Sequence, residues 1–309
     1  MNAINRLGSA SGWVRVDGKP WVNTQADLAN GNQLYPLRIT EFGADVQDQQ
    51  VFTGTLPNGT IWTSSSTCPN GSGGVIAANC VCADWTSTTL AACGSTGTQA
   101  CSADTGSSAG TSSIFTSFGS VNCNSTARLY CLGVDRAAAV VVTPPNPRRT
   151  AFLSNNVWTP GGGIAAADSL CQSEAQAAGL TGTYLALIAT TSAGAASRFS
   201  TSGAPWVRVD GVPITASATN MFSATFWDAP INLTANGTSY YGNNGTWGGS
   251  TSFANVGSNT LTCSNWAVGT ASGTGGGGRA GHTYTPYAFA LDTSNPCNAT
   301  YIRVFCLQQ

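Results

Sequence analysis

Charge is what this chain has least of. Only 8% of its 309 residues are charged, the formal net charge is −1, and Lys19 is the one lysine among twelve cations. That excludes partners gripped by strong electrostatics: there is no basic patch for nucleic acid and no polybasic segment for a membrane surface. Long apolar runs are missing too. The longest aliphatic stretch, Ala137-Ala-Ala-Val-Val-Val142, is far too short to span a bilayer, which argues against membrane insertion. Met1-Asn-Ala-Ile-Asn-Arg-Leu-Gly has neither the basic start nor the apolar centre of a secretory signal. Polar surface must come from Ser, Thr, Asn and Gly, as expected of secreted or surface-assembled proteins.

What the chain does have, it has twice. Trp13-Val-Arg-Val-Asp-Gly18 recurs as Trp206-Val-Arg-Val-Asp-Gly211, each after an Arg and a short Gly/Ser run. Alternating Trp, Val and Val before Asp-Gly reads as a half-buried strand ending in a tight turn. The two stretches stay in step downstream. Tyr35-Pro-Leu-Arg-Ile-Thr40 matches Ala229-Pro-Ile-Asn-Leu-Thr234, an alternating strand pattern in both. Asn58-Gly-Thr-Ile-Trp62 matches Asn244-Gly-Thr-Trp247, and Cys82-Ala-Asp-Trp85 matches Cys263-Ser-Asn-Trp266. The last landmark pairs Cys123–Cys131 with Cys297–Cys306. Landmarks in one order at similar spacing predict two tandem copies of one domain.

The copies differ at their beginnings. Before its hexapeptide the second has a predicted strand at 150–154, an amphipathic helix at 164–179 with Leu170, Cys171, Ala175 and Ala178 on one stripe, and a second strand at 183–188. Gly179 occupies a C-cap position. The first copy has none of this, so its domain starts in its own middle. Thr143-Pro-Pro-Asn-Pro-Arg-Arg149 is a stiff linker. The expected organisation is an N-terminally incomplete domain over 1–135, a linker over 136–149 and a complete domain over 150–309.

Eleven cysteines imply disulfides and an oxidising compartment, hence an extracellular or cell-surface location. The missing signal conflicts with that unless a precursor begins upstream, an expectation that the shortened first copy shares. In the second copy four cysteines suggest Cys171 with Cys306 and Cys263 with Cys297. Equivalence then pairs Cys82 with Cys123. Cys68, Cys80, Cys93 and Cys101 lie in a Ser/Thr/Gly-rich insertion and are expected to pair locally, 68–80 and 93–101. Cys131, equivalent to Cys306, is left unpaired or intermolecular, because its partner would sit on the missing helix.

A helix cysteine tied to the last strand, with an inner pair spanning long loops, resembles the C-type lectin-like fold; the residues are Cys171, Cys263, Trp266, Cys297 and Cys306. Asp168–Leu180, Tyr184–Ile188, Arg198-Phe and Val207–Gly211 more closely resemble bacterial extracellular domains related to collagen endostatin. The resemblance covers 148–309, and 1–135 without its beginning. It implies an α+β fold in each copy: a twisted antiparallel sheet, one or two helices, and long disulfide-pinned loops. It also implies a secreted or surface protein, often adhesive.

Chemistry-bearing residues are few. The sugar motif of the lectin fold is missing, and loops 212–290 offer only Asp228 as an acid, too little for calcium. Trp62 and Trp247, beside Asn-Gly turns, are possible ligand-stacking residues, although aromatics in such positions more often pack in a core. Gly273-Thr-Gly-Gly-Gly-Gly-Arg279 lacks the Gly-Lys-Ser/Thr ending of a phosphate loop and reads as a flexible surface loop. His282 is the only histidine, with no Gly-x-Ser-x-Gly elbow for a catalytic triad. Asp17 and Asp210 belong to their Asp-Gly turns, and Glu41 and Glu174 have no matching acid. Asn-x-Ser/Thr triplets at Asn58, Asn70, Asn124, Asn232, Asn236, Asn244 and Asn298 would matter in a eukaryotic secretory pathway.

No cofactor or metal is expected, and no catalysis. The expectation is a non-catalytic extracellular structural or adhesive protein that assembles with identical subunits, as a filament or surface layer, through the incomplete first domain. The alternative is a monomeric lectin-like module whose 212–290 loops bind a glycan or a host surface protein.

Overall fold

The structure, a computed structural model, describes residues 2–60, 68–69, 75–76, 81–86, 102–240 and 245–309. It is a mixed α/β chain with several small, mostly antiparallel sheets, few helices and, among the described residues, three disulfides. Two compact units divide it, Met1–Val141 and Val142–Gln309, with the boundary inside the stretch expected as linker.

In the first unit β1 (Trp13–Val14) and β2 (Pro20–Val22) form a hairpin. Its turn is held from inside. Arg15 accepts from Gly18 N–H at 2.9 Å, donates its own N–H to Lys19 O at 2.8 Å, and lays its guanidinium on Asp17. Gly18 has φ +81°, a conformation side chains resist. The helix α1 (Gln25–Ala29) follows, started by a Thr24/Asp27 capping box. Three strands, β3 (Gln50–Phe52), β6 (Ser102–Ser107) and β7 (Gly119–Asn122), make an antiparallel sheet with β6 in the middle. Between them come the pair β4 (Cys68–Pro69) and β5 (Val75–Ile76) and the single turn α2 (Cys82–Trp85). Trp13, Trp21, Val22 and Phe115 form the core, with Tyr130 stacked on Phe115 at 4.2 Å.

In the second unit β8 (Arg149–Leu153), α3 (Gly163–Ala177) and β9 (Tyr184–Ala186) precede β10 (Trp206–Val207). Then come α4 (Asn220–Ser223), β11 (Gly245–Trp247), α5 (Cys263–Trp266), β12 (Thr274–Arg279), α6 (Thr285–Ala290), β13 (Asp292–Pro296) and β14 (Phe305–Gln308). The main sheet runs β10-β8-β14-β9, parallel only between β10 and β8. β14 therefore has a neighbour on each edge and a core on each face. Phe305 and Leu307 enter a cluster with Trp206, Trp227, Phe253 and Phe289. Val304 and Cys306 point the other way, as strand alternation demands, into a cluster with Ala167, Cys171 and Ala175 of α3.

Local geometry recurs between the units. Arg208 and Asp210 repeat the Arg15–Asp17 arrangement, with Gly211 N–H donating to Arg208 O at 2.9 Å. The Trp13 indole donates to Gly133 O at 2.7 Å; the Trp206 indole donates to Gln308 O at 2.8 Å. Val51 bridges Arg128 in parallel, as Thr246 bridges Arg303. Cys82 and Trp85 have φ +49° and +64°; Cys263 and Trp266 have +50° and +66°.

Two expectations are corrected. The stretches 35–40 and 229–234 make only isolated bridges, at Ile39, Leu233 and Thr234, and 229–234 is buried throughout instead of at alternate residues. Ile39 and Leu233 bridge Asp45 and Ser239 across short turns, and Thr234 meets β8 at Leu153 alone, so among the described residues none of these contacts extends into a ladder. The Gly-rich run 273–279 is not a flexible surface loop. It forms β12, the buried centre of the sheet β11-β12-β13. Glycine is required there by closeness of packing: a Cβ on Gly277 would lie 1.8 Å from Thr246 O, and one on Gly278 2.1 Å from Ala288 O. Gly277→Ala should therefore destabilise the second unit by ~2–3 kcal/mol through overpacking. Urea unfolding should show the transition of that unit moving while that of the first unit stays in place.

Candidate functional site: a bare face on the first unit

Among the described residues, disulfides tie together three pairs of candidate cysteines, and one cysteine is free. Cys171 is bonded to Cys306, Cys263 to Cys297, and Cys82 to Cys123. Cys131 is free and exposed. The local pairs 68–80 and 93–101 rest on Cys80, Cys93 and Cys101, which lie outside the described residues, as does Trp62; Cys68 lies in β4.

In the second unit α3 hangs over β14 through Cys171–Cys306, and the indole of Trp266 packs against Trp158 at 5.5 Å and donates to Ala189 O at 2.7 Å. Both Trp158 and Ala189 belong to the stretch preceding β10. That stretch buries Val207, Val304, Cys306 and Trp266 to 1% exposure or less. The first unit has no such stretch, and the matching side chains lie open. Val14 and Val16 are more than half exposed, Trp85 is 50% exposed and Leu129 72%. Leu129 and Cys131 stand at i and i+2, one face of an extended segment. The intervening Tyr130 and the next residue, Leu132, pack on the core instead. Each of these aliphatic groups forgoes ~1.5–3 kcal/mol of burial. Sequence reasoning singled out Cys131 but missed Val14, Val16, Trp85 and Leu129. The signal was present, since each aligns with a residue that the preamble of the second copy can cover.

The other candidates do not gather into a site. Trp247 is fully buried, its indole donating to Trp158 O at 2.8 Å and its ring edge-on to Trp266, so the expectation of ligand stacking there is corrected: the residue ends a core strand. Trp227 and Trp266, also within 212–290, are equally buried. A cavity of about 210 Å³ in that region is lined by Phe222, Phe253, Phe289, Thr225, Ser252 and Thr285. His282 is buried, its Nδ1 accepting from Tyr284 N–H at 3.2 Å and its ring edge-on to Tyr287. Glu174 is a structural acceptor for the N–H groups of Asn155 and Asn156 at 2.6 and 2.8 Å. Glu41 is exposed. Among the described residues no group of three or more His, Cys, Asp or Glu is placed to hold a metal ion. Among them, too, no helix is long and apolar enough to cross a membrane. No protein-family profile matches the chain, and no curated protein is significantly similar to it.

Buried charge separates the units. In the first, Asp104 on β6 is 2% exposed and burial pushes its carboxyl up to about 7, opposed by a hydrogen bond from Ser117. Asp48, accepting from Ser107 Oγ at 2.6 Å, is pushed up by burial as well. In the second, burial holds the His282 ring down at about 3. The signs are opposite. Folded Asp104 binds its proton more tightly than the unfolded chain does, so its stability contribution is present below pH 4 and is lost as pH rises through 7. Folded His282 rejects its proton, so its contribution is present above pH 6.5 and is lost as pH falls toward 3. Calorimetry between pH 4 and 8 should show the transition of the first unit falling with pH while that of the second rises. Asp104→Asn should flatten the first trend, worth about 4 kcal/mol at most, and leave the second untouched.

Proposed function

We propose that this chain is a non-catalytic extracellular protein, structural or adhesive, that works as a subunit in an assembly entered through the bare face of its first unit. The two units are read as tandem copies of one C-type lectin-like design, of which the second carries the strand–helix–strand β8–α3–β9. The recurrent Arg–Asp turn, the indole bonds to Gly133 and Gln308, and the left-handed Cys and Trp residues support that reading. The carrying observation is the contrast in exposure: what is covered at Val207, Val304, Cys306 and Trp266 is open at Val14, Leu129, Cys131 and Trp85.

Uncovered apolar groups beside unpaired extended backbone invite strand addition by another chain. Three disulfides fit an oxidising, extracellular setting in which an exposed thiol finds a partner. Low charge removes the repulsion that keeps most proteins apart. Copies of this chain joined head to tail would form an open filament. A monomeric lectin-like reading has less behind it, because Trp227, Trp247 and Trp266 in the loops it needs are all in the core.

The test is the mass of the protein, taken from its own source, under non-reducing and then reducing conditions, with thiol labelling. The expected result is a covalent complex that dissociates on reduction and exposes Cys131 to label. A non-covalent monomer, with Cys131 already labelled before reduction, would contradict the proposal.

A further inference from the structure

We infer that the second unit binds one small, neutral, phenol-like molecule in the cavity of about 210 Å³ between α4, the 251–254 loop and α6. Three phenylalanines wall it. Phe253 stands between Phe222, edge-on at 5.7 Å, and Phe289, tilted at 4.5 Å, and Trp227 stacks on it at 5.7 Å. A ring entering among them finds the edge and face contacts that aromatic groups prefer, at roughly 4.5–7 Å between centres. Phe253 and Phe289 are buried, whereas Thr225, Thr251 and Ala254 are exposed, so the cavity has an apolar floor and an open, hydroxyl-bearing rim. At that rim Thr251 Oγ accepts from Asn255 Nδ2 at 3.0 Å, and Ser252 Oγ accepts from Asn255 N–H at 3.3 Å. Both hydroxyls keep a hydrogen to donate to a ligand oxygen.

Size and charge narrow the class. An apolar cavity of ~150 Å³ holds benzene, so 210 Å³ takes one six-membered ring with a short substituent. Drug-sized ligands need roughly 300–1,000 Å³. No residue lining the cavity is charged, so a carboxylate or ammonium would shed its water with nothing in exchange. A sugar is no better served. Its hydroxyls would face phenyl rings, and the Thr285 hydroxyl is already committed to Ala224 O and Thr225 O, at 3.1 and 3.0 Å. Those bonds, with Thr285 N–H on Thr225 O at 2.9 Å, also fix α6 to the exit of α4. The remaining wall is held from behind, Phe253 O accepting from Ala196 N–H at 2.9 Å. The walls are therefore set before a ligand arrives, which keeps the ordering cost of binding low.

The site lies wholly in the second unit, so its test is independent of the bare face on the first. The probe is p-cresol, titrated calorimetrically into the intact chain, with benzoate and D-glucose as controls. The expected result is saturable 1:1 binding with a dissociation constant on the order of 0.1–1 mM, as suits so small a ligand. Both controls should bind at least about tenfold more weakly, one for its charge and one for its stranded hydroxyls. Ala254→Phe, at an exposed position of the lining, should abolish p-cresol binding while the unfolding transition of the second unit stays in place. Thr251→Val, which removes one rim hydroxyl, should weaken binding about three- to tenfold. No saturation below about 10 mM p-cresol would overturn the inference. So would a control that binds as tightly as p-cresol, or an affinity that either substitution leaves unchanged.

Discussion

The second unit depends on one covalent tie, Cys171–Cys306. It fastens α3 to the central strand of the main sheet and closes a sequence separation of 135 residues. Loop-closure entropy of that size is worth on the order of 4–5 kcal/mol. Its effect on architecture is larger than its energy. By pinning α3 over Val304 and Cys306, it makes β14 a strand with a core on both faces, and the sheet edges gain β8 and β9 in the process. Where that tie is absent, in the first unit, the corresponding face is left open.

The inner disulfides answer a different need. Residues Cys263, Ser264, Asn265 and Trp266 all have positive φ, a left-handed turn that costs roughly 1–2 kcal/mol per residue. Three contacts hold it: Cys263–Cys297, the Thr262 side chain accepting from Asn265 N–H at 2.9 Å, and the Trp266 indole bonded to Ala189 O. Cys82 and Trp85 show the same left-handed backbone with Cys82–Cys123 in place, yet Trp85 stands half exposed. The disulfide accompanies the turn in both units, and the tryptophan is buried only in the second.

Much of this was legible in the sequence because the repeat is nearly literal. The hexapeptide announced both Asp-Gly turns, and the stripe of Leu170, Cys171 and Ala175 announced α3. Periodicity failed where the backbone does something composition does not record. A run of glycines reads as a loop on entropy grounds, yet β12 uses glycine so that the Thr246 and Ala288 carbonyls can approach. Alternation at 35–40 and 229–234 promised strands, but 229–234 is buried throughout and both stretches make only single bridges. Trp247, picked out by a turn signal in the sequence, stands at the end of a core strand. The open side chains Val14, Val16, Trp85 and Leu129 could be found only by asking which matching residues of the second unit lie under the stretch that precedes β10.

Hydrogen exchange tests the central claim most directly, by comparing amides 129–133 with 304–308 in the isolated protein. The account predicts that 304–308, laddered on both edges, exchange slowly, while 129–133 exchange fast and become protected only in the natural assembly. Equal, strong protection of both segments in the isolated chain would contradict it, because the first unit would then be closed by its own residues.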